Sequence, residues 1–182
     1  HPVGGFAVAW HDLLADGEVA EDSLQTVVNW TDFPGRGHRH AHELSVNVWS
    51  EGVEWLTSAG YWPGGTEPAR RWSRLWGGSN APHLLGEPED SDRQAALLGY
   101  AGSPALSIID VERATSDGFR VRRQVVTLAD GIWVIVDSFQ DAQPRPVRTV
   151  WTFDPAADVE QAESPAGFLL TARESGERMA AW

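Results

Sequence analysis

The chain has 182 residues, 42% hydrophobic and 22% charged, which is enough for one domain with a real core and argues against disorder. A formal charge of -12 and a pI near 4.8 exclude a general nucleic-acid footprint, so any anionic ligand must be captured locally. The absence of cysteine excludes a disulfide framework, a thiolate metal site and a thiol nucleophile.

No window approaches the roughly 18 apolar residues of a membrane span. The chain begins at His1 without a signal-peptide pattern or initiator Met, as expected of a processed form, a fragment or an excised domain. All 14 basic residues are arginine, which suits planar acid groups but also follows from GC-rich coding. Ten tryptophans exceed what packing needs, so some are expected in the core and some on a sugar-binding surface.

In chain order, Phe6, Val8 and Trp10 alternate as in a strand. Glu18, Glu21 and Asp22 mark an acidic loop, Leu24–Trp30 reads as a second strand, and Asp32-Phe33-Pro34-Gly35 breaks it. His38, His40 and His42 then occupy alternate positions ahead of Leu44, Val46 and Val48. In an extended backbone all six share one face, placing the imidazoles on the buried side of a sheet. Imidazoles so placed could hold zinc, relay protons, or simply be hydrogen-bonded core side chains.

Leu44–Ser50 and Val53–Thr57 flank Glu51-Gly52, a hairpin connection. Residues 58–92 lack periodicity and interleave arginine with tryptophan in Arg70-Arg71-Trp72-Ser73-Arg74-Leu75-Trp76, so they are expected to be a long ordered surface excursion. It should end in an acidic tip, Glu87–Asp92. A meander of four strands follows over Leu106–Glu112, Phe119–Leu128, Ile132–Phe139 and Val147–Phe153, separated by turn residues, with Phe168–Ala172 as a last strand. In the second of the four, Phe119, Val121, Arg123 and Val125 share one face while Arg120, Arg122 and Gln124 take the other. The fold class is all-β, an antiparallel β-sandwich of the supersandwich kind with few or no helices, in a single domain spanning residues 1–182.

The order of features in residues 4–139 resembles the β-sandwich, C-terminal domain of heparinase II/III family polysaccharide lyases: a glycine-rich first strand, His38-Arg39-His40-Ala41-His42-Glu43-Leu44-Ser45, a hairpin, the Gly60-Tyr61 loop and an asparagine segment at Asn80. The resemblance implies β-elimination on a uronic-acid-containing polysaccharide, in a cleft whose other wall is an N-terminal helical toroid. It also implies a periplasmic or extracellular location. It places His38 at the family's active-site histidine, Tyr61 at a catalytic tyrosine, Asn80 at a substrate-site asparagine and His40 at a zinc ligand. The residues themselves add Arg71 and Arg74 for acid groups and Trp62, Trp72 and Trp76 for sugar faces.

Three departures bear on zinc. The aspartate of the family's H-x-H-x-D stretch is His42 here, and two further ligand positions are Ser58 and Ser79. Zinc needs three or four N/O donors, which His42 or His83 would have to restore, so zinc is expected below one equivalent or not at all. The domain alone is expected to be inactive. The other readings are a non-catalytic carbohydrate-binding sandwich, a decayed family member kept for structure, and a cupin-like metal protein, the last disfavoured because Glu43 follows His40 too closely.

Overall fold

The computed structural model describes residues 5–13, 16, 18–20, 22–30, 40–59, 73–162 and 167–181. Its strands are β1 (Phe6–His11), β2 (Leu24–Asn29), β3 (Val46–Ser50), β4 (Val53–Leu56), β5 (His83–Leu84), β6 (Arg93–Gly102) and β7 (Leu106–Thr115). These are followed by β8 (Arg120–Leu128), β9 (Ile132–Gln140), β10 (Val147–Arg148), β11 (Ala157–Ala162), β12 (Gly167–Ala172) and β13 (Arg178–Ala181). Among the described residues every pairing is antiparallel. The sheets run β1-β2-β3-β4, β6-β7-β8-β9, β11-β12-β13 and β10-β5. Among the described residues the one helical element is a 3-10 turn at Trp76–Gly78, so the all-β sandwich expected from the sequence is the observed fold.

One continuous core joins the sheets. Ala7, Ala9, Val28, Val46 and Val48 pack against Ile109, Val111, Val121 and Val125, with Leu170 and Ala172 of the three-stranded sheet closing the same cluster. Polar bridges cross the layers inside it. His11 Nε2 lies 3.1 Å from Ser107 Oγ, Thr26 Oγ1 lies 2.7 Å from Thr127 Oγ1, and Trp133 Nε1 donates to Thr26 at 2.8 Å. Each satisfies groups that would otherwise be desolvated without a partner.

The hairpin at Glu51-Gly52 forms as expected. Both residues have positive φ, 52° and 71°, and Ser50 pairs with Val53, which is the type I′ geometry that matches strand twist. The meander forms over β7, β8 and β9, and the alternation in β8 holds, with Phe119, Val121, Arg123 and Val125 buried.

Several expectations change. The first strand forms as expected, but its buried residues are Ala7, Ala9 and His11, so Phe6, Val8 and Trp10 take the outer face, where Trp10 meets Trp49 edge-on at 6.2 Å. The strand expected over Val147–Phe153 forms only at β10, which pairs with β5, and Phe153 makes an isolated bridge to Leu56. No strand is expected from the Ala- and Gly-rich sequence of β6, yet pairing with β7 along its length overrides weak propensity. The segment 76–84 is not a surface excursion, because Trp76, Ser79, Asn80, Ala81 and His83 are all buried. Glu87 is not part of a solvated tip, since its side chain is 3% exposed and paired with Arg113.

These irregular buried segments survive because three buried arginines reach them from the inner face of the β6-β7-β8 sheet. Arg123 holds its cross-strand neighbour Asp137 through two bonds of 2.7 Å and donates to the carbonyls of Leu44, at 2.8 Å, and Asn80. Arg113 grips Glu87 and the Pro82 carbonyl. Arg93 pairs with Glu43 at 2.8 Å and donates to the carbonyls of His40 and Glu89. A guanidinium fork is the side chain best able to bind a carboxylate and backbone oxygens together.

Arg123→Met is expected to cost about 3–5 kcal/mol in denaturant unfolding, because it strands Asp137 and two carbonyls. The double change Arg123→Met with Asp137→Leu should recover only part of that loss. Full recovery would show that the carbonyl bonds carry no stability.

Candidate functional site

On the face of the β1-β2-β3-β4 sheet opposite the core lies a cavity of about 300 Å³, lined by Val27, Asn29 and Asn47 of the strands, His40, His42 and Ser45 of the loop before β3, and Ser58, Ser73, Gly78 and Ser79. Alternation explains the strand contribution, since Val27, Asn29 and Asn47 interleave with the core residues Val28, Val46 and Val48. The loop contribution depends on Leu44. Its φ of 70° breaks the extended backbone, while its N–H donates to Asn29 O at 2.6 Å and Asn29 N–H donates to Ser45 O at 3.0 Å. A left-handed conformation is uncommon for leucine, and here the backbone bonds on both sides of the kink hold it.

From His40 onward the extended histidine ladder expected from the sequence is therefore not formed. Val46 and Val48 face the core, whereas His40 and His42 turn into the outer cavity, their rings 5.6 Å apart at 67°. His40 Nδ1 sits 2.8 Å from Ser73 O. A carbonyl only accepts, so Nδ1 carries a proton and donates it to Ser73 O. Burial lowers the pKa of His42, with His40 and Arg93 pushing the same way and Glu43 opposing them.

The walls are tied by short polar contacts. Ser79 Oγ is shared between Ala41 O at 2.9 Å and Trp76 O at 3.2 Å. Ala41 N–H donates to Arg74 O at 2.9 Å, and Ala59 N–H to Gly78 O at 2.7 Å. Behind them, Arg93 and Arg123 fix the histidine loop through Glu43, His40 and Leu44.

Asn80 is 1% exposed. Its amide donates to Val46 O at 3.0 Å and Thr57 O at 2.9 Å, and its side-chain oxygen accepts from Thr152 N–H at 2.5 Å. Trp76, 3% exposed, stacks on His83 at 5.5 Å and lies under the Arg93 and Arg113 guanidinium groups at 4.7 and 4.5 Å. Neither ring face is open to a sugar. Burial also lowers the pKa of His83, which lies with Trp76 and not among the cavity residues. Arg74 meets the site through its carbonyl. His38, Tyr61, Trp62, Arg71 and Trp72 lie outside the described residues.

The cavity also includes Asn29, Ser45, Asn47 and Ser73, which the sequence did not single out. Polar residues at outward positions of apolar strands were the available signal for the two asparagines. The cavity holds no carboxylate among its described lining residues, and no group of three or more His, Cys, Asp or Glu suited to a metal occurs among the described residues. His40 has the ring orientation of a metal ligand, with Nδ1–H on a carbonyl. Ser58 and Ser79 supply neutral hydroxyls where the resemblance expects an acid and an imidazole. Among the described residues the donor set does not fit zinc.

A family model described as heparinase II/III-like, C-terminal, matches residues 2–182. The chain belongs to the heparinase II/III-like C-terminal family. Similar solved structures include a heparinase III gene product with methylated lysines, at TM-score 0.80 and 20% identity over 99% of this chain and 27% of that one. A crystal structure of heparinase III gives 0.75 and 14% identity over 93% and 27%. A mutant of heparan sulfate lyase HepC from Pedobacter heparinus gives 0.76 and 13% over 94% and 26%. At these identities the likeness establishes the fold. The chain spans about a quarter of the length of these solved structures. No curated protein matches it at the sequence level. No helix among the described residues is long and apolar enough to cross a membrane.

Two outcomes test the site's construction. Asn80→Ala should lower unfolding free energy by about 3 kcal/mol by removing its three bonds to backbone groups of Val46, Thr57 and Thr152, a loss read in denaturant titration before any effect on a ligand. His42 and His83 both have folded pKa values below the ordinary 6.5, so the unfolded chain takes up their protons first. The stability they contribute is full above pH 6.5 and is lost as pH falls below it. His42→Gln should flatten the decline in midpoint between about pH 7 and pH 5.5; an unaltered pH profile would contradict the burial effect.

Proposed function

We propose that residues 1–182 form one sandwich domain of a polysaccharide lyase that cleaves uronic-acid-containing polysaccharide by β-elimination, the domain supplying one wall of the catalytic cleft. The observation that carries this reading is the whole-length family match. The His40–His42 cavity supports it by placing polar side chains immediately after His38 on an open face rather than in the core.

In the proposed reaction the uronate carboxylate is neutralised, which acidifies the C5 proton. His38 and Tyr61 then divide proton abstraction from C5 and proton delivery to the departing glycosidic oxygen. Arg71 and Arg74 meet acid groups of the chain, and Trp62 and Trp72 offer faces to its sugar rings. Asn80 and Trp76 are assigned to support, because their polar atoms or ring faces are taken up inside the protein. A helical domain of the same protein completes the cleft, and the enzyme works in the periplasm or outside the cell.

The test is turnover of a panel of uronic acid polymers by the full-length protein, followed through the ultraviolet absorbance of the unsaturated product. His38→Ala should lower kcat at least about 100-fold, the usual scale for losing a general acid or base. Unchanged turnover would remove His38 from the mechanism. Retained polymer binding with no turnover by the unaltered protein would favour the carbohydrate-binding module.

A further inference from the structure

Three segments meet at the His40–His42 cavity: the loop 40–45, the stretch at Ser58-Ala59, and the stretch from Ser73 to Ser79. A metal ion held by residues of these segments would cross-link them. In this chain the stretch from Ser73 to Ser79 is bonded directly to each of the other two. Ser79 Oγ reaches Ala41 O and Trp76 O, His40 Nδ1–H reaches Ser73 O, Ala41 N–H reaches Arg74 O, and Ala59 N–H reaches Gly78 O.

The side chains agree with that arrangement. Ser79 is 2% exposed, and its hydroxyl lies on two carbonyls, so its hydrogen is used in holding backbone. A serine hydroxyl does not deprotonate to give a good zinc ligand at neutral pH, and zinc requires three or four N/O donors. Among the described residues, His40 and His42 supply two imidazoles, and Ser58 and Ser79 supply none of the remaining charge or basicity.

We infer that a Ser79-centred hydrogen-bond staple has replaced a metal cross-link in this chain, so that the cavity is built and held without a metal ion. The inference is independent of the proposed lyase activity, since it concerns how the wall is held and not what reacts beside it. It gives Ser79 a defined role, in which the hydroxyl joins the segment after the 3-10 turn to the histidine loop. It also makes the missing donors restorable, because His40 Nδ1 is already held on the Ser73 carbonyl.

The experiment uses the full-length protein, with metal content measured by elemental analysis after dialysis and the unfolding midpoint of the sandwich measured with and without chelator. The expected result is well below one equivalent of zinc and a midpoint unmoved by EDTA. One full equivalent, or a chelator-dependent drop of several degrees, would overturn the inference. Ser79→Ala should lower the midpoint by roughly 3–6 °C by removing the hydroxyl's bond to the Ala41 carbonyl, Trp76 O keeping the Ser79 N–H, and Ser79→Thr should retain most of it; equal midpoints for Ser79→Ala and the unaltered protein would contradict the staple. The double variant Ser58→Asp with Ser79→His should take up about one equivalent of zinc, and of cobalt with tetrahedral visible bands. A folded double variant that binds neither would show that these positions do not surround a metal-sized site. Should the double variant not fold, the Ser79→Ala and Ser79→Thr pair still decides the matter.

Discussion

Three arginines whose side chains are buried to within 2% of completion determine how this sandwich can carry an irregular wall. Sheets satisfy their own backbone groups, but the loop before β3 and the segment 79–82 run through buried space without a ladder. Arg123, Arg113 and Arg93 deliver donors to Leu44, Asn80, Pro82 and His40 carbonyls while neutralising themselves on Asp137, Glu87 and Glu43. Burying a charge is costly unless it is paired and hydrogen-bonded, and here each charge is both. The cavity thus depends on residues that do not line it.

Much of the fold was legible because its signals are local. Alternation identified β2, β3 and the inward set of β8, and Glu51-Gly52 announced its turn. The failures occur where distant contacts override local pattern. β6 contains no β-branched residue, so only its partner β7 reveals it. The inward direction of Arg123 could be read from alternation, but its carbonyl partners lie 79 and 43 residues away, beyond any local rule. The expected run from His40 to Val48 is broken by a turn, closed by Ser45 N–H on His42 O and carrying the left-handed Leu44, which sends His40 and His42 to the face opposite Val46 and Val48. The same inversion hid Asn29 and Asn47 from sequence-based assignment.

Family membership and local chemistry bear on different questions here. The match over residues 2–182 and the shared architecture concern the frame. The cavity concerns what this chain has made of it: hydroxyls and amides beside two imidazoles, with backbone oxygens drawn in as acceptors. Trp76 illustrates the difference between composition and placement. It belongs to a tryptophan-rich stretch suggestive of a sugar platform, yet it is enclosed by His83, Arg93 and Arg113. Its ring stabilises the cations that hold the wall.

The outer face of β9 has a different consequence. Ile132, Val134 and Val136 stand 45–48% exposed on a nine-residue strand that ends its sheet among the described residues. They continue across the strands, where Ile132 pairs with Leu128 and Val134 with Val126. Unpaired backbone groups beside a wetted apolar row form a template for strand addition. Asp137, turned inward to Arg123, is the one charged side chain that β9 carries, and it leaves the outward row undefended. Preparations of this sandwich alone should therefore be limited by colloidal behaviour, with salt promoting association by screening the net negative charge that otherwise keeps molecules apart.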